Sequence, residues 1–428
     1  MTEKSCVVIQ PAKNVLGSIR IPGDKSISHR YAMLAGLAEG VTKLSNFSTG
    51  ADCASTLGCM AALGCKVTRR DADVEIEGRA GRFVAPADAL DCGNSGSTMR
   101  MMSGILAGQP FTSEMIGDAS LSRRPMRRVI EPLTKMGAKI ESRDGCAPLR
   151  ISGGELVPLE YKMSVPSAQV KSAVLFAGLY APGQTWVEEP VKTRDHTEIA
   201  LKAFGVEIAR EKNRAGIRSG QKLKAIEAAV PGDISSAAFF LCAASLFPES
   251  NLVIDGLLLN PTRAVLLDVL IGMGAKIPII SIEERHGELV GTINVQPGEL
   301  RGARISGAQT AALIDELPVL AAIAPHTRDG IEIRDAKELR VKESDRIAAV
   351  AENLRRMGAE VEEFEDGLRV PGRQQLRGAD IDSKEDHRIA MAFAVTALRA
   401  DGETRIFGAD AARISYPEFF NVLKEITE

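Results

Sequence analysis

The chain has 428 residues, of which 45% are apolar and 25% charged, an ordinary composition for a soluble globular protein with length for two or three domains. A net charge of −3 argues against nucleic acid as the main partner, although 53 Lys and Arg residues leave room for a local basic site. The N-terminus carries no signal or transit pattern, and the most apolar run, 237–247, is too short to span a bilayer, so a cytoplasmic protein off the membrane is expected.

In chain order, residues 7–21 read as strands that precede a helix opening at Lys25-Ser26-Ile27-Ser28-His29-Arg30. Small-residue-rich apolar helices recur five more times. They open at Gly93-Asn94-Ser95-Gly96-Ser97-Thr98, Ser167-Ala168-Gln169-Val170-Lys171, Asp233-Ile234-Ser235-Ser236, Asp315-Glu316-Leu317-Pro318 and Asp386-His387-Arg388. After each comes a short alternating strand, such as Val41-Thr42-Lys43-Leu44, and then a second helix. Five of these second helices close on one phrase: Leu63-Gly64-Cys65, Met136-Gly137-Ala138, Phe204-Gly205-Val206, Met273-Gly274-Ala275 and Met357-Gly358-Ala359. A pair of strands follows. Ser, Asp or Asn at the openings and Gly at the closings are the capping chemistry of such helices.

The period of about 70 residues is too long for a solenoid and suits a compact supersecondary unit. The pattern predicts an α/β (α+β) fold of two similar globular domains, each of three helix/strand repeats. The boundary falls near Val230-Pro231-Gly232-Asp233, giving residues 1–22 with 235–428 as one domain and 23–234 as the other, joined by short hinges. Six decorated helix starts predict an anion-binding cleft, because backbone N–H groups and the macrodipole favour negative charge there.

Lys25, Arg124, Arg346 and Arg388 lie at or near helix starts, where a cation opposes the dipole and gains nothing structurally. Arg forks match the paired oxygens of carboxylate and phosphate. Asp315, ahead of Pro318 in an apolar helix, and Glu343, between Lys342 and Arg346, are acid–base candidates, Glu343 either ionised or sharing a proton with Lys342. Ser167 reads also as a plain helix cap, as does either Asp195 or Thr197, and His29, His196 and His387 as residues that position neighbours or cap helices. Seven scattered cysteines without a C-x-x-C pair predict reduced thiols. The five histidines lack metal-ligand spacing and no P-loop occurs, so no metal and no nucleotide site is expected.

Five phrases in order resemble one family closely. They are Pro22-Gly23-Asp24-Lys25-Ser26-Ile27-Ser28-His29-Arg30, Gly93-Asn94-Ser95-Gly96, Arg124-Pro125-Met126, Leu339-Arg340-Val341-Lys342-Glu343-Ser344-Asp345-Arg346 and Asp386-His387-Arg388-Ile389-Ala390-Met391. From about residue 9 to residue 423 the chain is similar to the 5-enolpyruvylshikimate-3-phosphate synthases of the shikimate pathway, which leads to the aromatic amino acids. The resemblance implies two domains of six inside-out α/β repeats with a cleft between them, and transfer of the enolpyruvyl group of phosphoenolpyruvate to the 5-hydroxyl of shikimate 3-phosphate. It implies that Lys25, Asn94, Gly96, Arg124, Gln169, Lys342, Arg346 and Arg388 hold phosphoenolpyruvate, Gly96 giving its phosphate close backbone access. It assigns Lys25, Ser26, Arg30, Ser167, Ala168, Gln169, Arg194, Asp315 and Lys342 to shikimate 3-phosphate, with Ser167 and Arg194 on the phosphate. Asp315 is implied as the base on the 5-hydroxyl and Glu343, with Lys25 nearby, as the proton carrier at C3. No cofactor is implied, the partners are the two small substrates, and a monomer is expected.

Ala168, Glu338 and Ile414 depart from the commoner family pattern and agree with a second subgroup, which leaves open how the two phosphates are shared among ligands. The related UDP-N-acetylglucosamine enolpyruvyl transferases carry a reactive Cys in the loop before their Arg-Pro, and residues 117–128 here contain none. A non-catalytic anion-binding module would lack the Asp315 and Glu343 pair.

Overall fold

The computed structural model describes residues 5–427. They group into two compact units: an amino-terminal unit, Gly23–Val230 with Glu284–Glu288, and a carboxy-terminal unit of residues 5–22, Pro231–Glu283 and 289–427.

Each repeat is built alike. In the second, the short strand Leu90–Asp91 runs parallel to Thr112–Ile116, which pairs antiparallel with Cys146–Ser152, and that with Lys139–Arg143. The same order recurs in five four-stranded sheets, and a three-stranded sheet completes the described set. The strand ahead of each of the later five apolar helices was not anticipated; at two to four residues it is too short to show a period. Along Thr112–Ile116 only Ser113 and Met115 are buried, so one sheet face packs inward and the other meets solvent.

The apolar helices form the two cores. In Ile234–Ser245, Leu317–Ile323 and His387–Ala397 every residue is buried, and in Lys25–Leu37 everything from Ile27 onward. Helices apolar all round belong inside. Small residues let them touch: a Cβ on Gly104 would sit 2.0 Å from the Ala173 carbonyl, so Gly96–Ala107 meets Ala168–Gly178 backbone to backbone. The second helices lie outside and bury one stripe, as Ile347, Val350 and Leu354 do in Arg346–Arg356. Their shared closing phrase is a Schellman cap. Gly64, Gly137, Gly205, Gly274 and Gly358 all adopt positive φ, and the next residue's N–H reaches back, as Cys65 does to the Met60 carbonyl at 3.1 Å.

The expected strands at 7–21 are Cys6–Ile9 and Leu16–Arg20. Leu16–Arg20, which precedes the first apolar helix, runs parallel to Asn251–Leu258 in the fourth repeat. Conversely Glu227–Ala229, which precedes the fourth helix, runs parallel to Val41–Ser45 in the first. Cys6–Ile9 pairs antiparallel with Thr404–Phe407 of the sixth. This exchange of edge strands explains why the first residues group with the carboxy-terminal half. All seven cysteines are free thiols, five of them buried.

Candidate active site

Side-chain caps open five of the six apolar helices, the exception being Leu317–Ile323. Asp24 accepts from the Ile27 N–H at 2.8 Å, Ser95 from Thr98 at 3.1 Å, Ser167 from Val170 at 3.3 Å, Asp233 from Ser235 at 2.8 Å and Asp386 from Arg388 at 2.9 Å. Neither His29 nor His196 caps a helix. His29 is buried against Thr56 Oγ1 at 2.7 Å, its pKa held well below the ordinary value by burial and by Lys25 and Arg30. His196 lies 2.7 Å from Glu288. Neither Asp195 nor Thr197 caps the helix His196–Ala203: Asp195 pairs with Arg210 at 3.4 Å, and Thr197 Oγ1 accepts from Arg30. A buried cation had a stronger claim on that hydroxyl than a helix end has.

In the amino-terminal unit, the starts of Lys25–Leu37, Gly96–Ala107 and Ala168–Gly178 supply most of the predicted residues. Arg30 is buried and donates to three neutral oxygens: Thr197 Oγ1 at 2.7 Å, the Ser26 carbonyl at 2.8 Å and Ser172 Oγ at 2.9 Å. Burial first, and then the charge of Arg194, pull its pKa down to about 10. Arg194 donates to Ser26 Oγ at 3.2 Å, so Ser26, Arg30 and Arg194 form one group. Lys25 Nζ lies 3.2 Å from Asp52.

A second group surrounds Gly96. Arg124 donates to Asn94 Oδ1 at 2.7 Å and Ser120 Oγ at 3.1 Å, while Asn94 donates to Asp118 at 2.7 Å. Gln169 is held at both ends, donating to Ser97 Oγ at 2.8 Å and accepting from Arg100 at 2.9 Å. A Cβ on Gly96 would lie 2.8 Å from Arg100 Nη1 and 3.6 Å from Arg124 Nη1, so two guanidinium groups border this glycine. Ala168 is the first residue of its helix, behind the Ser167 cap. Arg100, Asp52, Ser172 and Thr197 join these groups without having been assigned from sequence. Arg100 stands four residues past Gly96 on the same helix face, which is the signal that could have found it.

The carboxy-terminal unit gathers the rest around Arg346, only 1% exposed. Its guanidinium donates to Asp386 at 2.8 and 3.2 Å and to Glu343 at 2.6 Å, and lies 3.9 Å from Asp315. Burial opposes its charge, but Asp386, Glu343 and Asp315 together raise its pKa above the ordinary Arg value. Arg388 donates to the Asp315 carbonyl at 2.8 Å, with Nε 3.8 Å from its carboxylate. Glu343 is therefore bonded to Arg346. Lys342 is pushed below the usual Lys value, by burial above all and by Arg346, against the pull of Asp315. Sequence reading gave Asp386 a place at a helix opening but none in the site. Burial works to raise its pKa, yet Arg346 brings it below the ordinary value, and it also accepts from Ser344 at 2.9 Å. Among the described residues no group of three or more His, Cys, Asp and Glu has the arrangement of a metal site, and no helix is long and apolar enough to cross a membrane.

Buried Arg forks at helix starts, with carboxylates clamped by one of them, define an enzyme-like protein that binds small multiply charged anions and handles protons. Its kinship is closer than that class. The sequence profile of the EPSP synthase (3-phosphoshikimate 1-carboxyvinyltransferase) family matches residues 9–423, and the chain belongs to that family. It is 67% identical to the 3-phosphoshikimate 1-carboxyvinyltransferase of Koribacter versatilis, with 99% of each chain covered, and 56% identical to that of Solibacter usitatus, covering 98% of this chain and 99% of the relative. A solved EPSP synthase from Acinetobacter baumannii superposes with a TM-score of 0.88 at 38% identity, covering 99% of this chain and 98% of the other.

Proposed function

We propose that this protein transfers the enolpyruvyl group of phosphoenolpyruvate to the 5-hydroxyl of shikimate 3-phosphate with release of phosphate, a step of aromatic amino-acid biosynthesis. The observation that carries this reading is the full-length 67% identity to a 3-phosphoshikimate 1-carboxyvinyltransferase. The reaction adds the hydroxyl to C2 of phosphoenolpyruvate as C3 gains a proton, and then expels phosphate as C3 loses one. Such steps need fixed cations and positioned proton carriers.

Ser26, Arg30, Ser167, Ala168, Gln169 and Arg194 take shikimate 3-phosphate, its phosphate between Ser167 and Arg194. Asn94, Gly96, Arg124, Gln169, Lys342, Arg346 and Arg388 take phosphoenolpyruvate, and Lys25, Gln169 and Lys342 serve both substrates. Asp315 removes the proton of the 5-hydroxyl. Glu343 carries the proton at C3, with Lys25 as the further candidate. The bond from Arg346 to Glu343 supports this, since it fixes the carboxylate in place. Residues 1–22 with 235–428, and 23–234, serve as the two domains. The enzyme is a cytoplasmic monomer without metal or organic cofactor. Phosphate release tests the whole: it is expected only when both substrates are present, undiminished by a chelator. Turnover with UDP-N-acetylglucosamine in place of shikimate 3-phosphate would overturn it.

A further inference from the structure

Lys171 lies in the third apolar helix, two residues past Gln169, and only 1% of its side chain is exposed. Its ammonium bonds two carboxylates, Glu189 at 2.9 Å and Glu198 at 2.8 Å, both buried. Glu189 also accepts from the Thr193 N–H at 3.1 Å and from the Thr193 hydroxyl. Glu198 sits in the first turn of the helix His196–Ala203. One ammonium therefore holds both ends of the 189–195 loop, which carries Arg194.

Stability does not account for this arrangement. Three ionisable groups lose their water here, two carboxyl groups against one amine, and Glu198 Oε2 has no hydrogen-bond partner among the described residues. Mutual attraction repays such desolvation only with full pairing, and apolar side chains of similar volume often serve as well or better. The cluster does provide direction. Thr193 is fastened to Glu189, so the next residue, Arg194, leaves the loop at a set angle and reaches Ser26 Oγ beside Arg30. Glu198 also acts on Arg30, raising that guanidinium's pKa against the effect of burial.

We propose that Lys171, with Glu189 and Glu198, is a positioning device that aims Arg194 at the phosphate of shikimate 3-phosphate. The proposal rests on the substrate reading above. It makes Lys171 a determinant of phosphate recognition that touches no substrate itself. Without it the loop end is unfastened and Arg194 samples several directions, so the phosphate loses its fork while the ring contacts persist.

Binding of shikimate 3-phosphate and of unphosphorylated shikimate, titrated into the full-length protein, tests this. Lys171→Met is expected to weaken shikimate 3-phosphate about 10- to 50-fold, within the range of one charge-assisted pair, and to leave shikimate within about threefold. Because Lys171→Met strands two buried carboxylates, the neutral triple variant Lys171→Met/Glu189→Gln/Glu198→Gln is measured beside it and is expected to fold and show the same selective loss. Adding Arg194→Ala to either variant should cost little more, the two effects being one. Equal loss for both ligands, full additivity with Arg194→Ala, or unchanged phosphate affinity in the triple variant would each overturn the positioning role. Failure of the wild-type protein to prefer shikimate 3-phosphate over shikimate would instead count against the substrate reading.

Discussion

The two units treat their buried arginines in opposite ways. Arg30 of the amino-terminal unit gives its hydrogen bonds to hydroxyls and a carbonyl, and burial with Arg194 beside it lowers its pKa to about 10. Arg346 of the carboxy-terminal unit bonds Asp386 and Glu343, stands near Asp315, and is raised above its ordinary value. A guanidinium satisfied by neutral oxygens keeps its charge for an incoming anion. One enclosed by carboxylates instead fixes those carboxylates. The first arrangement suits binding and the second suits proton transfer, although both grow from the same repeat and the same helix-start geometry.

If that contrast holds, the largest effects should follow from the carboxylates. Asp315→Asn and Glu343→Gln should each lower kcat by about 10²–10⁴-fold, the usual worth of a positioned acid or base, with folding little changed. Steady-state kinetics decides this, and near-wild-type turnover in either variant would remove that residue from the chemistry.

A smaller and more selective effect is expected at Gly96. The methyl of Gly96→Ala would meet Arg100 Nη1 at 2.8 Å, the movable end of a long side chain, so the fold should tolerate it. Glyphosate, an inhibitor of this family expected to compete with phosphoenolpyruvate, is longer than that substrate and should meet the added methyl first, losing about 10- to 200-fold in relative affinity. Inhibition constants set against the KM for phosphoenolpyruvate measure the ratio, and equal losses would place the discrimination at another residue.

The mildest effect concerns stability. Arg30 is a base whose folded-state pKa lies below its unfolded value, so its burial costs stability at every pH below about 10, and that cost disappears as pH rises toward the ordinary Arg value. Arg30→Met should stabilise the unliganded protein by on the order of 1–3 kcal/mol while removing anion binding. Thermal melts at neutral pH read this, the wild type alone gaining Tm from shikimate 3-phosphate. A lower Tm for the unliganded variant would mean that the three hydrogen bonds outweigh the buried charge.

Local chemistry was legible in the sequence. The Gly-containing phrase announced five Schellman caps, and Asp24, Ser95, Ser167, Asp233 and Asp386 stood where helix starts needed acceptors. Pairings across long separations were not. Asp386 lies 40 positions from Arg346, and nothing local marks either as the other's partner. Thr197 looked like a cap because its bond to Arg30 spans 167 positions. The parallel edge strands ahead of the later apolar helices escaped notice because strands as short as Leu90–Asp91 carry no period. Their exchange between the first and fourth repeats is a property of topology, which residue patterns do not record.

The division of labour between binding and chemistry is tested most directly by one paired measurement on Glu343→Gln. Shikimate 3-phosphate is titrated calorimetrically into the variant, and phosphate release is followed after phosphoenolpyruvate is added to the same solution. The expected result is an affinity within about threefold of wild type together with phosphate release slowed at least about 100-fold. Binding and turnover falling together, or turnover persisting, would contradict it.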